Sequence, residues 1–448
     1  MKTIVILGGG FTGLSLANEL KDKYKIILID KNEEVGGMCQ SFKWNDIPLD
    51  LGPHKIFSII PGIMDKFREI CPDMLEHEKK NSIHLKGKNF DFPLKITQFA
   101  FKMNPYHTFR LGIDFLKAQL KNNKEARTYE EYLKQGFGKY GYNLIFRDYA
   151  PKLWGEPTDL SEEIARRRIP VPDLKGLLGL SKEAKKKVSA EKFLYPLKGI
   201  GEICDNLKNN LKGKVTIITE AKINQIIVND NQIKKIILKD SVLNPDFVVS
   251  TIPLHELIES LNPAKIIINE ANRLKYKHLF VSFLLLNKEK AMEDHWRFFP
   301  EKDICFNRVA EYKNFNPNVF PSDKTIISAE VTFESEEDLD AVQNRIIHHL
   351  KKIGLIKPRE LLDYTQKVLK NVYPIYDLTF RHRLKIIYHH LDQINNLITI
   401  GRAGCFNYNN MDHCLDMALT AKDFIDSGKN KKEWVEIRKR FDEYKIID

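Results

Sequence analysis

Three glycines set between a short apolar strand and an apolar helix constrain this chain more than any other feature of it. Residues 3–7 (TIVIL) are apolar and mostly β-branched, Gly8, Gly10 and Gly13 follow at GxGxxG spacing, and residues 14–20 carry apolar side chains at helical spacing. Gly8 allows a tight turn, Gly10 lets the backbone approach a pyrophosphate, and Gly13 lets the helix lie close on the strand. Phe11 and Thr12 open the helix, whose first N–H groups and partial positive charge suit a phosphate. A second buried strand, residues 26–29, ends at Asp30 and Lys31, where a carboxylate can accept both hydroxyls of an adenosine ribose. Strand, turn, helix, strand and acid in this order open a βαβ unit of an α/β fold that takes a dinucleotide. Without such a ligand, glycines at these offsets only add conformational entropy to be lost on folding.

The rest of the chain sets the frame. At 448 residues it exceeds what one hydrophobic core usually spans. Its 43% hydrophobic and 29% charged residues are those of a globular protein. The net charge of +11 comes without a nucleic-acid-binding motif, so most of the excess is expected on solvent-facing helices. No apolar run approaches the ~20 residues that cross a bilayer, and the N-terminus runs directly into a strand, so the expected location is cytoplasmic. The six cysteines form no CxxC pair and no His/Cys cluster has metal spacing; reduced thiols and no metal site are expected. Residues from about 80 to 190 mix aromatics, leucines and lysines at helical spacing and predict a mostly helical insertion. Its basic amphipathic stretch, residues 90–126, suits the packing of an inserted domain, with peripheral membrane contact as the alternative. Strand patterns return from Val215, with an NDNQ turn suggesting a hairpin, and a last strand and helix lie between residues 397 and 425.

Two features favour FAD over NAD. Gly36, Gly37 and Met38 follow soon after Asp30 and resemble the extension by which amine-oxidase-type flavoproteins pass close to the cofactor's phosphates. The segment LITIGRAGCFNYNNMDHCLDMAL, with Gly401, Arg402, Asn410, Met411 and Asp412, is similar to the strand and helix that return to the flavin in those enzymes. DFVVSTIP with Thr251, the adenine-side strand around Lys222 and Ile223, and the Tyr195-Pro196 segment extend the likeness. The chain thus resembles the FAD-dependent amine-oxidase and protoporphyrinogen-oxidase-like superfamily. The resemblance implies a Rossmann-type, glutathione-reductase-like FAD-binding domain in three pieces (1–78, 191–256, 386–448). These are interleaved with the helical insertion (79–190) and a mixed-sheet substrate domain (257–385).

Within that group the motifs lean towards UDP-galactopyranose mutases. Gly52-Pro53-His54 resembles the mutase segment against the flavin, and Tyr149 to Gly155 with Arg166-Arg167-Arg168-Ile169-Pro170-Val171 resembles a second signature run. Asn307 to Phe315, with Arg308, and Arg402 followed by Tyr408 complete the set, with Tyr373 as a second tyrosine of that kind. The resemblance implies catalytic or diphosphate-binding roles for His54, Arg168, Arg308, Tyr373 and Tyr408. It implies action on a nucleotide-activated sugar through reduced flavin N5 in cell-surface glycan biosynthesis. The alternative is an oxidoreductase acting on a hydrophobic or amine substrate. Phe406, Asn409 and Asn410 depart from the mutases' acidic, tyrosine-rich run. For single residues the bland roles are core packing for Trp154, solvated helix faces for Arg166 and Arg167, an ion pair with Glu311 for Arg308, and capping of a backbone group for Tyr408.

Overall fold

The computed structural model describes residues 1–92, 96–120, 125–169, 171, 191–335 and 337–446. A five-stranded parallel sheet, in the order Leu397–Thr399, Phe247–Ser250, Thr3–Leu7, Lys25–Ile29, Val215–Ile218, gathers strands from both ends and the middle of the chain. Ile4 to Leu7 are at most 1% exposed, as expected for a parallel strand covered on both faces. The helix Phe11–Leu20 packs against Gly201–Leu211 and Met411–Ser427, which close one face of the sheet.

The stretch read as one adenine-side strand is two. Val215–Ile218 ends the parallel sheet, the chain turns at Glu220 with φ +52°, and Ile223–Asn229 pairs with Gln232–Leu238 as a hairpin. The turn residues Asp230 and Asn231 both have positive φ, which matches the right-handed twist of the two strands.

The second large sheet has seven strands in the order Leu361–Pro374, Tyr276–Leu286, Thr325–Phe333, Arg308–Glu311, Trp296–Phe298, Asn81–Leu85, Lys88–Asp91. Its last two strands fall where a helical insertion was expected to begin. Lys86 and Gly87 both take positive φ and close a tight hairpin, and Ile83, Leu85 and Phe90 bury into the core. The turn chemistry of Lys-Gly therefore overrides the helix-like composition around it. Helices follow from Ile96: Ile96–Lys102, Pro105–Leu120, Tyr129–Ile145, Ala150–Leu153 and Glu162–Arg168. The insertion's residues 172–190 lie outside the described residues. Thr128 and Glu131 form a reciprocal capping box at the start of Tyr129–Ile145. On Pro105–Leu120 the side chains of Tyr106, Phe109, Leu116 and Leu120 face solvent and line no part of the cavity described below. None of the described helices is long and apolar enough to cross a membrane.

Candidate functional site

A cavity of about 1400 Å³ opens where the parallel strands end, the position at which open α/β sheets hold ligands. One end is built by two glycine turns in contact. Gly8 has φ +101°, and a Cβ there would lie 2.3 Å from Thr251 Oγ1. A Cβ at Gly13 would lie 2.0 Å from the Gly8 carbonyl oxygen, so only glycine fits at the third residue of the helix. At Gly10 a Cβ would meet nothing within 4 Å, because its Cα faces the cavity. Gly36 donates its N–H to Gly9 O at 2.7 Å, and a Cβ on Gly37 would sit 3.2 Å from Gly10 Cα.

Asp30 lines this end and fastens it. Its Oδ2 accepts from Gly9 N at 2.7 Å, and its Oδ1 accepts from Asn32 N and Asn32 Nδ2 at 2.8 and 3.0 Å. A carboxylate has about four acceptor positions, so capacity remains for a ribose hydroxyl. Lys31 also lines the cavity and pairs with Glu256 across the rim at 2.7 Å. Phe11, Thr12, Met38, Lys222, Ile223 and Thr251 complete this wall.

Farther in, Gly52, Pro53, Arg402, Asn410 and Met411 line the cavity, the last two at the N-terminus of Met411–Ser427. That end carries positive potential and is closed by a capping box between Asn410 and His413. Three of the expected cofactor residues do not face the cavity. Gly13 and Gly401 serve close packing: a Cβ on Gly401, at φ +84°, would lie 2.9 Å from Thr12 Oγ1. Asp412 turns aside and accepts from Ser58 Oγ at 2.9 Å.

At the other end His54, Arg168, Arg308, Tyr373 and Tyr408 all line the same cavity. Tyr373 and Tyr408 stack at 5.5 Å with 9° between their planes. Arg168 donates to the Tyr408 hydroxyl and lies 5.0 Å over its ring. The Tyr408 hydroxyl thus meets an arginine and not a backbone group. Arg402 approaches Tyr408 from another side, 5.6 Å from the ring, and donates to Asn409 O.

Arg308 makes a bidentate pair with Glu330 at 3.0 and 2.8 Å, replacing the expected pairing with Glu311. On a strand, residues three apart point to opposite faces. Glu311 accordingly lies in the core, accepting from Ala291 N and Met292 N. His54 Nδ1 is buried with no partner among the described groups. Burial, then the charges of Arg402 and Arg308, push the His54 imidazole down to about 4.

Trp154 is buried at 2% exposure and packs edge-on to Tyr408, so it shapes the site from the core side. Arg166 lies on the solvated face as expected, 56% exposed and paired with Glu162. Arg167 does not: it is 7% exposed and bonds to Tyr376, Asn407 and Asp442. The helix ends beneath the 406–409 turn, so consecutive arginines there meet different walls.

Several residues that hold the site had no role assigned to them from the sequence, Asp50 and Lys55 being read only as part of the segment 50–57 that resembles the mutases. Asp50 is fully buried beneath the Gly52–His54 loop and accepts from Ser41 Oγ, Tyr195 OH and Ile200 N at 2.7–2.8 Å. Burial outweighs these bonds and raises its carboxyl to about 6. Lys55 lies 3.6 Å from the Trp296 ring and donates to Asn81 at 2.5 Å. The available signal for Glu330 was the one charged residue in an otherwise uncharged strand, TIISAEVTF. Among the described residues no group of three His, Cys, Asp or Glu side chains could hold a metal. All six cysteines are free thiols.

The arrangement fits an extended dinucleotide at the glycine end and a second, anionic ligand at the arginine end. Ligand pockets commonly occupy about 300–1,000 Å³, and this cavity exceeds that range. Comparisons with known proteins agree with its form. The family model described as an NAD(P)-binding Rossmann-like domain matches residues 6–70. A probable UDP-galactopyranose mutase of Klebsiella pneumoniae is 26% identical over 182 residues, 38% of this chain and 45% of that protein. The chain therefore matches less than half of that relative's length. The crystal structure of reduced UDP-galactopyranose mutase superposes with a TM-score of 0.85 over 96% of both chains, at 21% identity. A putative protoporphyrinogen oxidase from Exiguobacterium sp. 255-15 superposes with a TM-score of 0.76 over 96% of this chain and 99% of its own, at 16% identity. Residues 6–70 thus match a Rossmann-like domain model, and the chain has the fold shared by UDP-galactopyranose mutase and a putative protoporphyrinogen oxidase.

Proposed function

We propose that this chain is an FAD-dependent enzyme that acts on a nucleotide-activated sugar, as a UDP-galactopyranose mutase does, in the assembly of a cell-surface glycan. The observation that carries this reading is the convergence of Arg168, Arg308 and Arg402 with the stacked Tyr373 and Tyr408 at one end of the cavity that the glycine cradle opens. The cradle of Gly8, Gly10, Gly36 and Gly37 would hold the FAD pyrophosphate, Asp30 the adenosine ribose, and the N-terminus of Met411–Ser427 the flavin. FAD supplies a redox-active ring that is nucleophilic at N5 when reduced.

The chain's own residues do the rest. Arg168 and the two tyrosine hydroxyls present donors to a diphosphate, whose negative charge grows as it leaves the sugar. Arg402 adds positive potential from behind Tyr408. Glu330 fixes Arg308 in one orientation and offsets part of its charge. On the insertion side the Trp154 ring packs edge-on between Tyr149 and Tyr408 and backs the Tyr408 ring. Three guanidinium groups disfavour a cationic amine substrate. A hydrophobic substrate recruited through the amphipathic insertion is disfavoured because the exposed apolar side chains of Pro105–Leu120 line no part of the cavity.

The purified protein should carry flavin and isomerise UDP-galactopyranose only when that flavin is chemically reduced, without consuming oxygen. Peroxide formation or quinone reduction with no isomer would replace the mutase reading with the oxidase one. Protein that stays colourless after reconstitution with FAD would remove both.

His54 sharpens the expectation. With its imidazole held down to about 4, it is neutral throughout the range in which an ordinary histidine titrates. It then serves as a hydrogen-bonding group and not as a charge. The kcat/KM profile from about pH 5.5 to 8 should therefore show no step that disappears in His54→Asn. A step in that range lost with the histidine would refute its neutrality.

A further inference from the structure

Three arginines grip three consecutive residues of one turn. Arg167 donates to Asn407 Oδ1 at 3.0 Å, Arg168 to the Tyr408 hydroxyl, and Arg402 to the Asn409 carbonyl. The turn joins Gly401–Gly404 to Met411–Ser427 and begins with Phe406 at φ +47°. A bulky residue in the left-handed region persists only where its surroundings over-determine it.

Arg168 and Arg402 line the cavity; Arg167 does not. It sits behind them, and its Nη1 also donates to Tyr376 OH at 3.3 Å. That same hydroxyl accepts the backbone N–H of Tyr408 at 2.7 Å. Its Nη2 donates to Asp442 at 3.3 Å, and Asp442 in turn pairs with Arg381 at 2.7 Å. Asn407 Nδ2 donates to Phe441 O at 2.9 Å, and Ile446 N donates to Arg167 O at 2.9 Å. The C-terminal residues 441–446 thereby tie the helix that presents Arg168 to the turn that presents Tyr408.

We propose that Arg167 is a positioning residue that sets the Arg168–Tyr408 pair for the anionic part of the substrate, with Asp442 as its charge partner. The ligand class rests on the function proposed above; the positioning role rests on the hydrogen bonds alone. Removing the guanidinium takes a charged donor from Asn407 Oδ1 and Tyr376 OH and cuts the tie between the helix of Arg168 and the 406–409 turn. The Tyr408 ring then samples orientations in which its hydroxyl no longer meets Arg168.

The test uses flavin-loaded Arg167→Gln, Arg167→Lys and Tyr376→Phe beside the unaltered protein. Hydrogen exchange at residues 406–410 should quicken in Arg167→Gln and Tyr376→Phe, with exchange across 415–425 and flavin content unchanged. The dissociation constant for UDP, read from the flavin spectrum, should rise about tenfold in Arg167→Gln. KM should rise more than kcat falls, and Arg167→Lys should recover part of both effects. If Arg167→Gln does not fold, Tyr376→Phe alone carries the exchange and UDP measurements. Unchanged exchange at 406–410, or unchanged UDP affinity where the unaltered protein binds UDP, overturns the proposal. Quickened exchange in a protein that binds no UDP removes the nucleotide-sugar reading and leaves the positioning role standing.

Discussion

Gly13→Val should give a protein that binds no flavin and has no measurable turnover. Any Cβ at this position would lie 2.0 Å from the Gly8 carbonyl oxygen, and the obstacle is backbone that cannot swing aside as a side chain would. Relief would require moving Gly8, which is itself held by its N–H to Ile29 O at 2.8 Å and by Thr251 above it. Helix and strand would have to separate along the edge that forms the cradle. The expected readout is loss of the flavin absorbance in purified protein, with far-ultraviolet circular dichroism showing how much of the fold survives. A yellow, active Gly13→Val protein would show that the turn does not carry the cofactor.

Glu330→Leu should be the most destabilising single change in the substrate end of the cavity, by about 3–5 kcal/mol. Glu330 is 1% exposed and holds Arg308, itself 17% exposed, through two hydrogen bonds. Burial pulls the Arg308 guanidinium down, and Coulombic attraction, chiefly to Glu330, together with the hydrogen bonds to it more than offsets this. With the carboxylate gone it still stays charged, because a guanidinium is protonated at any working pH. The loss therefore reflects an uncompensated buried charge and not the net worth of the pair. Combining Glu330→Leu with Arg308→Met should return most of the stability, because two apolar side chains fill the same space without a charge to solvate. Activity should stay lost in the double variant, since Arg308 faces the cavity. Thermal melts of the flavin-loaded single and double variants check this. A double variant no more stable than Glu330→Leu would show that the strands depend on the ion pair itself.

The two variants probe different kinds of information. The clash at Gly13 is local: the residues involved lie within one strand, turn and helix, and both the apolar periodicity and the glycine spacing are visible along the chain. The same holds for Gly36-Gly37, for the Asp230-Asn231 hairpin and for the start of the helix at Met411. These depend on φ preferences and on which face of a short element is apolar, which neighbouring residues already determine.

The partners of the charged groups are not of that kind. Arg308 pairs with a residue 22 positions away across the sheet; strand alternation turns Glu311 to the other face, and strand register places Glu330 opposite. Arg167 meets Asn407 across 240 residues, so its burial cannot be read from a helix whose three terminal arginines look alike in sequence. The Lys86-Gly87 turn closes residues 81–91 into a hairpin, but that it joins the sheet beside the parallel strand Trp296–Phe298 is a long-range contact. The sequence by itself determined the Rossmann-like opening, the cradle and the chemical types gathered at the site. The tertiary structure alone decided which arginine faces the cavity and which braces it, because charge pairing depends on long-range register and burial that local preferences do not encode.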